Sequence, residues 1–388
     1  MRWTAVLSVH TYYHLRYRIR CWGSLPRTPR AKVVVANHQH ENEPTILVES
    51  TSVGALAWRY PVFAVAGRRM FEPNFMAERI PWLRFAMRGW NFGVLFGALG
   101  LRPLENELNR RPLTSLAHSL LRRVDDAPLA DVFRESALAK VPPGAQTLKD
   151  LLQPEYSEAV RTYASLSELR EPYRAEVLAM TRADLDMDIA HFQALAREGA
   201  TIFLTPEGTY SPDGRMLRLR GLLSALAPLA QIVIAGISYD VFVGKRLSLL
   251  YRLVVAHDDA PLEPQIKAAR PVTVSALLAT WLADHPDSFS AREAAEAVSA
   301  QLAELPPVLF VDPELRRNPT AMVHRALSGL ERLGSAQLQN GRYTLTSSRT
   351  HPEFPLVGDM IDYQRNFHQE TLEGARSATL DREGVTAG

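Results

Sequence analysis

The feature that most constrains the fold is a pair of short apolar runs, each stopping abruptly in a polar cluster. Lys32-Val33-Val34-Val35 passes straight into Ala36-Asn37-His38-Gln39-His40-Glu41-Asn42-Glu43-Pro44. Far downstream, Thr201-Ile202-Phe203-Leu204 passes into Thr205-Pro206-Glu207-Gly208-Thr209-Tyr210-Ser211. Apolar runs ending in titratable and amide side chains predict buried strands that deliver polar groups at their ends. Two such ends are how an open α/β sheet builds a site. Val62 to Ala66, Ile232 to Ala235 and Ser248 to Ala256 predict further strands, with helical patterns between them. The expectation is an α/β fold, a mixed, mostly parallel sheet flanked by helices.

At 388 residues the chain accommodates two domains, or one large domain with an appendage. A formal net charge of +2 gives no electrostatic footprint for nucleic acid, so none is expected as a partner. The single Cys21 excludes an internal disulfide and fits a reducing compartment. No stretch reaches the roughly 18 to 20 apolar residues of a spanning helix. The segment 1–30 places Arg2, Arg16, Arg18 and Arg20 among Trp3, Tyr12, Tyr13, Tyr17 and Trp22, without the apolar centre of a secretory signal. Such interleaving suits a bilayer surface, and equally an ordinary first helix packed on the domain. A cytoplasmic protein, peripheral on the membrane, is the expectation.

Four regions follow. After the amphipathic segment 1–30, an α/β domain covers 31–260. Gly23 to Pro29 end the first helical segment before the strand at 32, and within the domain residues 74–101 read as helix. Residues 102–187 read as a helical insertion punctuated by Pro128, Pro142-Pro143-Gly144, Pro154 and Pro172. Asp188 to Glu198, stopped by Gly199, reads as a crossover helix. Between 271 and 350, three amphipathic helices precede Gln339-Asn340-Gly341, a hairpin turn between alternating residues. Three helices and a hairpin resemble a winged helix. In the last region, 351–388, the polar tail after Glu370 is expected to fray.

The chemistry concentrates at His38 and Glu43. On a regular helix a separation of five residues places side chains roughly 140° apart. The two meet if His38 lies in the turn before a helix and Glu43 at its start, which Pro44 favours. The carboxylate would then accept the Nδ1 proton, leaving Nε2 to take a proton from a hydroxyl. Such a dyad activates an alcohol for attack on an ester or thioester. His38, His40, Glu41 and Glu43 are alternatively metal ligands, but no further cluster completes a site and no metal is expected.

Asn37-His38, four residues and an acid, followed by Pro206-Glu207-Gly208-Thr209, resembles the glycerolipid acyltransferase family of the lysophosphatidic acid acyltransferase type. That family's blocks are Asn-His-x4-Asp and Phe-Pro-Glu-Gly-Thr-Arg-Ser. Gly23 to Pro26, Ala66 to Phe71 and Ile232 to Gly236 add to a likeness covering about residues 15 to 255. The resemblance implies His38 as general base and Glu43 as its orienting partner. It implies that Asn37, Glu207, Gly208, Thr209, Arg220 and Arg68 serve substrate binding. Backbone amides near the Gly208 turn would stabilise the oxyanion. It implies no cofactor, with acyl-coenzyme A or acyl carrier protein as co-substrate and partner, and a lysophospholipid or glycerol phosphate as lipid acceptor.

The sequence departs from that pattern in places. Glu43 replaces Asp, and Tyr210 stands where the family carries an arginine for the acceptor's phosphate. No arginine sits near Leu104 and Glu105 in the expected register, although Arg102 is close. Arg218 or Arg220 stands in for the family's basic residue before the later glycine, here Gly221. Two other readings stay open: a degenerate acyltransferase that binds or regulates through its winged-helix-like region, and a hydrolase turning the same dyad on water.

Overall fold

The computed structural model describes residues 11–40, 62–72, 75, 90–104, 110–160, 162–258, 260–284 and 288–386. Glu43, the helix expected after Pro44, most of the helix expected over 74–101, and Glu105 lie outside these residues. The chain forms two compact units, Met1–Val62 with Ala196–Gly388, and Phe63–Leu195.

Along the chain the strands are β1 (Arg18–Trp22), β2 (Lys32–Ala36), β3 (Val62–Gly67), β4 (Leu101–Leu104), β5 (Arg110–Pro112), β6 (Tyr163–Ser165), β7 (Thr201–Leu204), β8 (Gln231–Asp240), β9 (Ser248–Val255), β10 (Ala336–Gln339) and β11 (Arg342–Leu345). In the first unit, β2 pairs in parallel with β7 on one side and β8 on the other. β8 runs antiparallel to β9, and β9 parallel to β1. The sheet is therefore mixed and mostly parallel. Every residue of β2 and β7 is buried, as strands covered on both faces require, which explains their unbroken apolar character.

One local expectation changes. Residues 18–22 form strand β1 instead of continuing a helix, Arg18 to Trp22 pairing in parallel with Ser248 to Arg252 of β9. Its arginines are occupied: Arg18 pairs with Glu314 and Arg20 with Asp312, while Arg16 pairs with Glu353.

After β9 come helices Leu262–Ala269, Val274–Asp284, Ala291–Glu304 and Pro319–Arg332, and then the antiparallel β10 and β11. Asn340 and Gly341 have φ of 49° and 78°, the left-handed pair that a two-residue hairpin demands. Phe289, between the first two helices after Val274, exchanges both backbone hydrogen bonds with Tyr343 at 2.9 and 2.7 Å. The order helix, bridging residue, helix, helix, hairpin, with the short helix Pro313–Arg317 ahead of the third, resembles a winged helix. Ser290 and Glu293 close a capping box at the start of the Ala291–Glu304 helix.

The expected fraying of the tail does not occur. Met360–Thr386 is one helix lying along the Leu262–Ala269 and Val274–Asp284 helices. Its polar residues misled because several are interior: Gln364, His368, Glu370 and Thr371 are buried, and Glu370 is held by Lys267 and Arg270.

The second unit pairs β3 in parallel with β4 and β5 antiparallel with β6. β4 falls where the sequence suggested the close of a helix and the start of the insertion. Arg102 there lies over the Phe63 ring, 4.6 Å from its centroid. Residues 102–187 enclose a core of their own, including Leu113, Leu116, Phe133, Leu148, Leu169 and Val177. The crossover helix is longer than expected, Tyr173–Arg197, and ends before Gly199 at φ 84°.

Candidate active site at the ends of strands β2 and β7

The register of the sheet places the two polar clusters side by side. Val35 is the partner of Leu204, and His38 and Glu207 each lie three residues beyond. Parallel in-register strands thus release the two residues at the same level. A hydrogen bond fixes this arrangement, the His38 backbone N–H donating to Glu207 Oε1 at 2.8 Å. The other carboxylate oxygen, Oε2, accepts from the Leu217 N–H at 2.7 Å. Glu207 is only 2% exposed. Burial pushes its carboxyl above the ordinary range, outweighing the two amides and the attraction of Arg270 and His38, which favour the charged form.

Asn37 secures the other side. Its Nδ2 donates to the Ile237 carbonyl at 3.1 Å and its Oδ1 accepts from the Ile237 N–H at 2.7 Å. β2 ends at Ala36 while β8 runs on, so the Asn37 amide stands in for the next backbone step. Asn37 is buried, and its contacts with the described residues make it a splint for the strand end. His38 is half-buried, with its ring edge-on to Tyr210 at a centroid distance of 5.4 Å.

Gly208 adopts φ 73°, which favours glycine, and a Cβ there would sit 2.7 Å from Arg220 Nε and Cζ, so the Arg220 guanidinium lies directly against this glycine. The Gly208 N–H donates to the Thr205 carbonyl at 3.1 Å and the Arg220 N–H to the Pro206 carbonyl at 2.8 Å. The Gly208 amide is therefore committed to its own turn. Thr209 and Arg220 are exposed.

The loop after Ser211 is held from below by groups the sequence did not single out. The Met216 N–H donates to Glu370 Oε2 at 2.8 Å, next to the Leu217 amide held by Glu207. Arg270, 1% exposed, donates to Glu370 at 3.2 Å and lies over the Phe367 ring at 4.3 Å. Asn366 donates to the Asp213 carbonyl at 3.0 Å. Two buried carboxylates thus hold consecutive amides of one loop, with the Arg270 charge attracting both. Arg270 caps the end of the Leu262–Ala269 helix and Glu370 lies in a polar tail, so neither stood beside a recognisable motif.

The remaining candidates are placed as follows. His40 Nε2 lies 2.7 Å from the Glu353 carbonyl, and its ring packs on Tyr239 and Phe354. Arg68 belongs to the second unit, at the turn after β3, where it pairs with Asp188 at 2.5 Å and Asp184 at 3.8 Å. Glu43 lies outside the described residues. Among the described residues no group of three or more His, Cys, Asp or Glu could hold a metal ion.

What these elements define is a strand-end site in an α/β sheet, with a half-buried imidazole beside a buried carboxylate. No known family model matches the chain, and no curated protein matches it either.

Proposed function

We propose that the chain is an O-acyltransferase that moves a fatty acyl group from acyl-coenzyme A or acyl carrier protein to a hydroxyl of a glycerolipid, such as a lysophospholipid or glycerol phosphate. The observation that carries this reading is the bond from the His38 amide to Glu207, which joins the two motif blocks into one site. Glu207 acts on the backbone of His38, so the imidazole is the group offered to a substrate. As general base, His38 takes the proton of the acceptor hydroxyl while its oxygen attacks the thioester carbonyl. The tetrahedral intermediate collapses to an ester and expels the thiol, which leaves with a proton. Glu43 orients the imidazole in this reading, and Arg220, exposed beside Gly208, would take the acceptor's phosphate, since Tyr210 replaces the arginine expected there.

Work at the membrane surface is part of the proposal. No described helix is long and apolar enough to cross a membrane. In the second unit, however, the helix Gly93–Ala98 has no buried residue, and Trp90, Val94 and Leu95 are 61%, 86% and 47% exposed. Apolar side chains on a short surface helix suit insertion among lipid headgroups.

A second reading, that the α/β part is catalytically silent and the chain binds or regulates a partner, draws on the winged-helix order of residues 274–345. One assay separates the readings. The whole protein is incubated with acyl-coenzyme A or acyl carrier protein and a panel of lysolipids, and thiol release and lipid products are followed. Acceptor-dependent release supports the transferase, fatty acid without any acceptor indicates hydrolysis, and no turnover across the panel favours the binding reading.

A further inference from the structure

In the first unit a cavity of about 520 Å³ opens between β9 and the segment that joins the Ala291–Glu304 helix to the Pro319–Arg332 helix. Its wall includes Pro307, Val308 and Phe310, and its cationic groups are Arg252, Arg316 and Arg317; no acidic residue lines it. Arg252 is on β9, opposite Trp22 of β1. Its guanidinium lies over the Phe310 ring, 5.2 Å from the centroid, and the Trp22 ring packs on Phe310 at 4.9 Å.

The charges around this cavity are unequal in number. The adjacent carboxylates are Asp312 and Glu314, and both are engaged by other arginines: Asp312 by Arg20, and Glu314 by Arg18, Arg20 and Arg325. Among the described residues, Arg252, Arg316 and Arg317 have no carboxylate partner. Arg252 is also half-buried, and that burial disfavours its charged form, with no carboxylate among the described residues to offset it. A half-desolvated guanidinium beside two more, against an aromatic and aliphatic wall, is matched by an anion carrying an apolar body.

We propose that this cavity binds a phosphate ester with an aromatic or aliphatic body, its phosphate held by Arg252, Arg316 and Arg317 and its body against Phe310 and Val308. The site belongs to different residues from the His38 site and does not depend on the reading of that site. Both a nucleotide and a lipid phosphate have the required chemistry.

Calorimetric titration of the whole protein with inorganic phosphate, adenosine triphosphate and a short-chain phosphatidic acid below its micellar concentration distinguishes the sources. The expectation is that one of the two esters binds at least about tenfold more tightly than inorganic phosphate, and that raising the ionic strength weakens it. Arg252→Met keeps the aliphatic stem and removes the charge, and Arg316→Gln with Arg317→Gln changes exposed positions only. Each variant should lose about tenfold or more in affinity for that ester with an unchanged melting temperature. Should Arg252→Met unfold the protein, the exposed double variant decides. The proposal is overturned if neither ester binds, if inorganic phosphate binds as tightly as the esters, or if the folded variants bind as the parent does.

Discussion

Glu207 divides its two oxygens between the amides of His38 and Leu217, so its chemistry is exerted through the backbone. Glu207→Gln puts an N–H where one of those oxygens accepts, leaving one buried amide unpaired at a cost of about 1–3 kcal/mol. A lower urea midpoint with an unchanged slope, together with reduced turnover, is the expected result. Gly208→Ala meets two obstacles, a left-handed φ of 73° and the Arg220 guanidinium. We expect about 1–2 kcal/mol of destabilisation and an altered KM for phosphate-bearing acceptors, as Arg220 is displaced. That His38 and Glu207 follow buried strands was legible in the sequence, because each belongs to a polar cluster that ends an apolar run. The role of Asn37 as a splint was not, since it depends on β8 outlasting β2.

Among the elements, the Met360–Thr386 helix does most to shape the loop of the candidate site. It supplies Glu370 to the Met216 amide and to Arg270, and Asn366 to the Asp213 carbonyl. Glu370→Ala leaves the buried Arg270 without its hydrogen-bonded carboxylate, and about 3–5 kcal/mol of stability is expected to be lost. Arg270→Met combined with Glu370→Gln should recover much of it in chemical denaturation. Polarity alone hid this helix: a tail rich in Gln, His, Glu and Thr reads as solvated unless its partners are known, and Arg270 lies a hundred residues away in sequence. The short helix Gly93–Ala98 leads to a different test. Val94→Glu with Leu95→Glu should weaken sedimentation with anionic lipid vesicles and leave the melting temperature unchanged, because neither side chain is buried. Equal vesicle binding would remove this helix from the membrane account.

For the whole molecule, pH is an informative variable. Burial holds His351 and His368 neutral, with folded values pushed down to about 4 from 6.5. The unfolded chain takes up protons at these groups before the folded one does. Their contribution is therefore complete above pH 6.5 and lost as pH falls through about 4. Asp240, fully buried and bonded to Ser275, runs the other way. Burial raises it to about 6 from 3.8, so its contribution favours the fold below 3.8 and fades as pH rises through about 6. Two histidines against one aspartate predict a melting temperature that falls between about pH 7 and about pH 4.5, and His368→Phe should flatten that fall.

At this scale the α/β class and the hairpin were readable from periodicity and turn chemistry. The strand at Arg18–Trp22 was not, because its alternation is short and its arginines find their carboxylates only in the C-terminal region. The central claim is that His38 is the base of an acyl transfer, and the most direct measurement is thiol release from acyl-coenzyme A or acyl carrier protein with a lysolipid acceptor, comparing the parent with His38→Ala. Acceptor-dependent release by the parent and none by a folded variant is the predicted result. Release that survives the loss of the imidazole would contradict it.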